Sequence, residues 1–190
     1  MKSQSLIINH NARLIVRLLD DDEDVDKLSW DDAIQIILED GERQEILYDY
    51  PYVAIELRDF CRCLKRLLSG KLELDEQIWR RGIGYCCNIY CHDEIHDVSH
   101  HNYVSKYIAL ETPTYDIGNE TWLYSISGVL YMEVTKQYKW ICEEEDLITD
   151  ADYIPFDEFM RNYPPGVKYR LEHDRIREWV IIIQNMLDFY

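Results

Sequence analysis

Glycine is scarce in this chain, seven in 190 residues, and proline scarcer still at five. So few glycines leave little room for a phosphate-cradling loop. There is no Gly-x-Gly-x-x-Gly, no Walker loop and no Gly-x-Ser-x-Gly elbow, and Gly82-Ile83-Gly84 is only a fragment of the first. No apolar run approaches the roughly 20 residues needed to span a bilayer. The stretch Met1–Asn11 is too short and too polar to read as a secretory leader. Basic residues are also in short supply: 20 Lys and Arg stand against 37 Asp and Glu, a formal charge of −17. Such an excess repels nucleic acid, whose binders neutralise phosphates with Lys and Arg, and repels anionic membrane surfaces for the same reason. Neither is expected as a partner. A basic protein is, with field focusing to speed the encounter. The competing reading is that the charge merely keeps an aromatic-rich chain soluble.

What is present describes a globular protein. Hydrophobic residues make up 47% and charged residues 30%, unlike the apolar-poor mixture of a disordered chain. The length suits one domain with a sizeable core. Six cysteines (Cys61, Cys63, Cys86, Cys87, Cys91, Cys142) are expected as reduced thiols in a cytoplasmic protein, not as disulfides.

Along the chain, Ala12–Leu19 reads as a strand and is followed by the acidic run Asp20-Asp21-Asp22-Glu23-Asp24-Val25-Asp26, whose mutual repulsion predicts an exposed loop. Ala33–Leu38 and Glu45–Tyr50 flank Asp40-Gly41, a hairpin signal. A helix competes for the first of these runs, because Ser29-Trp30-Asp31-Asp32 resembles a capping box. Beyond Pro51, Leu57, Phe60, Leu64, Leu67 and Leu68 fall at helical spacing and Gly70 suits a helix C-terminus, so an amphipathic helix is predicted over roughly residues 53–69. The aromatic and β-branched segments Ile83–Cys91, Tyr103–Glu111, Trp122–Ser127, Val129–Thr135 and Tyr138–Cys142 read as strands. Pro113, Gly118-Asn119 and Gly128 mark breaks between them. Asn119-Glu120-Thr121 matches a glycosylation sequon but reads as a turn. Pro155 can open a short helix through Phe156, Phe159 and Met160. A last helix is predicted from about Leu171 to Phe189, its apolar face set by Ile176, Val180, Ile183 and Leu187. The fold class is α+β over residues 1–190: a largely antiparallel sheet, one amphipathic helix after the first hairpin, and a C-terminal helix packed on the sheet.

Three constellations invite chemistry. Cys86-Cys87 and Cys91-His92-Asp93-Glu94-Ile95-His96-Asp97-Val98-Ser99-His100-His101 gather thiols and imidazoles, and His92, His96 and His100 would stack along one side of a helix as zinc ligands. The zincin signature fails, because the sequence from His92 is His-Asp-Glu-Ile-His. The inverted form fails at Ile95, and the deaminase form lacks a downstream Pro-Cys-x-x-Cys. A His-rich inter-strand loop competes with a metal site and with a catalytic Cys–His pair. Asp20, Asp22 and Asp24 have the opening spacing of an EF-hand, but Val25 stands where glycine is needed and Asp31 where glutamate is. No metal or cofactor is expected. Cys61-Arg62-Cys63 lies in the predicted helix as packing residues. The third constellation is acidic and aromatic: fifteen tyrosines and five tryptophans supply rigid contact area with a polar edge. Beside acids they suit a basic partner. The candidate partner-binding residues are Asp20, Asp21, Asp22, Glu23, Asp24 and Asp26 with Trp30, and Trp140 with Glu143, Glu144, Glu145 and Asp146. Core positions in a sheet would consume the same aromatics with no partner at all.

The hairpin at Asp40-Gly41 followed by Tyr50-Pro51-Tyr52-Val53, the Phe60–Leu68 helix, the aromatic strands through Trp122–Trp140 and the terminal helix form a layout that resembles bacterial immunity proteins against polymorphic or contact-dependent toxins. The resemblance implies a small acidic cytosolic inhibitor, not an enzyme. Such a protein would bind a basic toxin domain, a nuclease for example, and cover its active site with carboxylates acting as anion mimics. Two alternatives stand beside it: a metal- or thiol-dependent hydrolase using the Cys86–His101 cluster, and an acidic mimic of nucleic acid directed at another DNA-binding protein.

Overall fold

In the computed structural model, which describes residues 3–18, 33–51, 53–94, 104–112, 117–139 and 153–187, the N-terminal part of the chain is an antiparallel meander. Its strands β1 (Ser3–Ile7), β2 (Ala12–Leu18), β3 (Ala33–Asp40) and β4 (Arg43–Pro51) lie side by side in sequence order. Period-2 alternation sends one set of side chains inward. Leu6, Leu14 and Leu38 stand opposite one another across three strands, as do Val16 and Ile36, and all five are fully buried. The opposite face carries the buried pair Ile15 and Ile37 and, beside it, a polar row in register, where Arg17 donates to Gln35 at 3.4 Å and Gln35 to Asp49 at 2.9 Å. Asp40-Gly41 does turn the hairpin, with Gly41 at φ +61. The amphipathic helix is α1 (Val53–Leu68), whose Leu57, Phe60, Cys61, Leu64 and Leu67 are buried. Gly70 beyond it sits in the left-handed region, its amide donating to Leu67 O.

The second sheet is also antiparallel and runs β5 (Ile108–Glu111), β6 (Ile117–Ile126), β7 (Val129–Tyr138) and β8 (Val167–Leu171). Between the sheets in sequence lie α2 (Glu76–Arg81), α3 (Ile83–Glu94) and a 3-10 turn (Ser105–Tyr107). Between β7 and β8 lies α4 (Phe156–Arg161), and α5 (His173–Leu187) closes the described chain. α1 packs on α5, β5 and β6, and α5 in turn packs on β1, where the Trp179 indole N–H donates to Ile7 O at 3.0 Å. The buried apolar side chains of both sheets and both long helices form one continuous cluster. α3 lies on the other face of the second sheet, against β7.

The α+β layout and the C-terminal helix are as the sequence predicts, but four local readings need correction. Ile83–Cys91 is helix, not strand: it is enclosed by α2 on one side and β7 on the other, so its apolar residues are not confined to one stripe. Gly118-Asn119 is not a break, since β6 begins at Ile117 and the sequon residues Asn119, Glu120 and Thr121 are buried within it. Leu171 belongs to β8, and the last helix starts two residues later. Of the expected strand Tyr103–Glu111, Ile108–Glu111 are strand and Val104–Tyr107 are turn and 3-10 helix, while Tyr103 lies outside the described residues.

The two sheets meet along β4. A bulge there places Tyr48 opposite Ile36 and Ile46 opposite Ile37, leaving Leu47 as the extra residue. The bulge interrupts the alternation of carbonyl directions. Ile46 O accepts from Asn119 Nδ2 at 3.0 Å and Leu47 O accepts from the Thr112 hydroxyl at 3.1 Å, so the second sheet satisfies two successive carbonyls of the first. Lys136 adds Nζ contacts to Asn119 Oδ1 at 2.7 Å and Glu45 Oε1 at 3.2 Å. The side-chain amide of Asn119 is therefore engaged at both its nitrogen and its oxygen inside the protein.

Candidate functional site

The residues picked out as partner-binding, Asp20–Asp24, Asp26, Trp30, Trp140 and Glu143–Asp146, all lie outside the described residues, as do His96, His100, His101 and Cys142. Their position does make the charge distribution informative. The described residues hold 18 of the 20 basic side chains but 20 of the 37 acidic ones, a balance of −2 (18 − 20) within the total of −17. The folded framework is close to neutral. Several of its carboxylates pair with neighbouring cations: Arg13–Glu39 at 2.7 Å, Arg43–Glu45 at 2.6 Å, Lys139–Glu111 at 2.8 Å and Lys168–Glu133 at 3.1 Å. Most of the surplus anions belong to residues 19–32, between β2 and β3, and 140–152, between β7 and α4.

Among the described residues, the chemistry-bearing side chains collect in a polar layer between α3 and the second sheet. Pairing of Glu120 with Thr135 and of Trp122 with Glu133 puts these four side chains, together with Tyr124 and Gln137, on the sheet face that α3 covers. α3 approaches closely because Gly84 has no side chain; a Cβ there would lie 2.2 Å from Thr135 Oγ1 and 2.5 Å from the Tyr163 hydroxyl. Beyond Val134, β8 no longer pairs with β7, and the free edge of β7 is taken over by side chains. Asn88 donates to Lys136 O at 3.0 Å and accepts from Tyr138 N at 2.7 Å, while the Tyr163 hydroxyl donates to Lys136 O at 3.0 Å. Trp122 donates its indole N–H to Thr135 Oγ1 at 2.8 Å, and Tyr124 donates its hydroxyl to Glu133.

Within this layer Glu120 is fully enclosed, and among the described residues neither carboxylate oxygen has a hydrogen-bond partner; the same holds for Gln137 Oε1. Burial raises the Glu120 carboxyl well above the usual carboxylate range. The Glu111 carboxylate opposite adds to the rise and Lys139 opposes it. Cys87 and Cys91, one turn apart on α3, bring their sulfurs to 3.6 Å, and Gln137 Nε2 donates to Cys87 Sγ at 3.8 Å. The Cys91 contact and burial hold the Cys87 thiol well above its ordinary range. Nucleophilic cysteines are prepared in the opposite way, by stabilising the thiolate.

The Cys86–His101 cluster is split by the fold. Cys86 turns toward α2, its sulfur 3.9 Å from Ile78 O, whereas Cys87 and Cys91 face β7. His92 stacks on Phe156 with centroids 3.7 Å apart and rings 9° from parallel. Cys61 and Cys63 are buried in α1 as packing residues, and burial pushes Cys63 up to about 12. Among the described residues, no three His, Cys, Asp or Glu side chains are grouped so as to hold a metal ion, and no helix is long and apolar enough to cross a membrane. Glu120 and Gln137 escape sequence reasoning because polar residues in an aromatic strand read as turn or solvent face. The one available signal is the regular alternation Glu120-x-Trp122-x-Tyr124. Comparison with protein-family models, curated proteins and solved structures finds no match for the chain.

Proposed function

We propose that this protein is a stoichiometric binding protein of the immunity type, which docks a basic protein domain, a toxin, and occludes it without turning over a substrate. The observation that carries the reading is the segregation of charge. A framework of −2 within a chain of −17 leaves most of the anionic surplus in residues 19–32 and 140–152. The described residues hold 20 acids against 18 basic residues, whereas the two acidic segments hold 14 acids against the single Lys27. Charge gathered in this way steers a cationic partner more effectively than the same charge spread evenly, and raises the association rate by roughly 10- to 1,000-fold at low salt. Trp30 and Trp140 lie in the same two segments and supply anchoring area.

The test is capture from a native lysate at low ionic strength with the wild-type chain and with a variant whose Asp20–Asp26 and Glu143–Asp146 carboxylates are replaced by Asn and Gln. The reading expects a basic protein captured by the wild type and lost by the variant, an association rate that falls steeply with salt, and rescue of cells expressing the captured protein. Capture that survives neutralisation, or an association rate indifferent to salt, counts against it.

A further inference from the structure

The outer face of α1 is cationic although the chain as a whole is strongly acidic, and the proposed binding function does not use it. Arg58, Arg62, Lys65 and Arg66 recur at helical spacing on the side away from the buried Leu57, Phe60, Leu64 and Leu67, and Arg58, Arg62 and Lys65 are exposed. The four cations span about 12 Å of helix, beginning about 8 Å beyond Val53. Arg62 pairs with Asp59 at 2.6 Å, whereas Arg58, Lys65 and Arg66 have no ion pair among the described residues. Ile55, 56% exposed, continues the same stripe toward the start of the helix. A row of unpaired cations with an apolar residue at one end complements an acidic segment that has its apolar residues at the matching end.

Such a segment is tethered beside it. Residues 19–32 leave the first sheet after Leu18 and return at Ala33, and Ala33 pairs with Pro51, two residues before Val53. Both ends of the segment are therefore held at the end of the sheet from which α1 departs. Running out and back, a segment of this length reaches at most about 23 Å from that end, which takes in the α1 cations. The order of residues agrees. Trp30 lies three residues before Ala33, as Ile55 lies two residues after Val53, while Asp24 and Asp26 stand near the middle of the segment. Tethering supplies an effective concentration in the millimolar range, whereas a second copy would bring its own charge of −17. We propose that the acidic segment 19–32 docks on the α1 stripe of its own chain, Asp20–Asp26 against Arg58, Lys65 and Arg66 and Trp30 beside Ile55. The contact does not depend on the identity of any partner. Its consequence is selectivity: a cationic protein must outcompete α1 for the acidic run, and weakly basic proteins are turned away.

The test is zero-length cross-linking of the full chain with a water-soluble carbodiimide, which joins a lysine amine to a carboxylate touching it. Peptide mass spectrometry on an equal mixture of isotopically light and heavy protein then separates links within a chain from links between chains. The expected product joins Lys65 to a carboxylate of Asp20–Asp26 within one chain. Its yield should fall at least roughly threefold in R58E/R66E, which reverses two of the exposed partners. It should disappear in the wild type at about 1 M salt, where the screening length is about 3 Å; this arm carries the test should the variant fail to fold. Absence of a Lys65 product with residues 20–26, a product found only between light and heavy chains, Lys65 joined instead to Glu143–Asp146, or a yield indifferent to salt overturns the proposal.

Discussion

Replacing Glu120 with glutamine probes the least ordinary group in the framework. In the unfolded chain this carboxyl titrates near its ordinary value of 4.5, whereas in the folded protein burial and the facing Glu111 keep it protonated to higher pH. Between those two values the folded state binds one more proton than the unfolded state, so stability declines as pH rises. The E120Q side chain has nearly the same shape and no proton to lose. Its advantage over wild type should therefore be small below the ordinary carboxylate range and should widen as pH rises above 4.5, with a slope no steeper than that of one bound proton, roughly 1 kcal/mol per pH unit. The assay is urea unfolding at stepped pH, followed by the fluorescence of Trp122 and Trp179, both fully buried. Groups that titrate elsewhere cancel in the difference between the two proteins. Wild-type and E120Q stabilities that run parallel across this range would refute the reasoning, since Glu120 would then ionise in the fold as it does in water.

Glu56, raised to about 7 by burial and then by Asp59 and Glu111, gives a second pH signature. E56Q should gain on wild type as pH climbs from about 4.5 to about 7 and gain nothing further above it, as read by the same urea titrations. Two threonines, one just beyond β5 and one within β6, should behave oppositely. T112V strips a donor from Leu47 O and an acceptor from Asn119 N and should cost about 2–3 kcal/mol, whereas T121V, whose enclosed hydroxyl has no partner, should be neutral or stabilising by up to about 1 kcal/mol. G84A places a methyl 2.2 Å from Thr135 Oγ1 and should lose about 3 kcal/mol or leave α3 undocked, visible as an altered Trp122 emission. G41A meets nothing within 4 Å and suffers only its positive φ, so a loss of about 1 kcal/mol is expected.

The parts of the fold that show in the sequence are those with one buried face. α1 declares itself because Leu57, Phe60, Leu64 and Leu67 repeat at helical spacing with charge between them. The hairpin at Gly41 declares itself because its turn needs a residue at positive φ. α3 does not: Ile83, Cys86 and Cys87 are enclosed from two sides, and a helix without a polar face has no period to detect. The candidate layer is hidden for a related reason. Asn119 and Glu120 have turn-like chemistry, and only the adjoining sheet, reached through sequence separations of 73 residues for Asn119 to Ile46, makes a strand interior habitable for an asparagine. No local pattern encodes that contact.

The bulge at Leu47 has a bearing on self-association. A strand at the rim of a sheet ordinarily offers a template to any other chain, and β4 would do so with its backbone carbonyls. Here Asn119 and Thr112 occupy two of them with side-chain donors, and the kink spoils the straight spacing another strand would need. A crowded, aromatic-rich polypeptide thereby gains protection against edge-to-edge polymerisation from a single inserted residue.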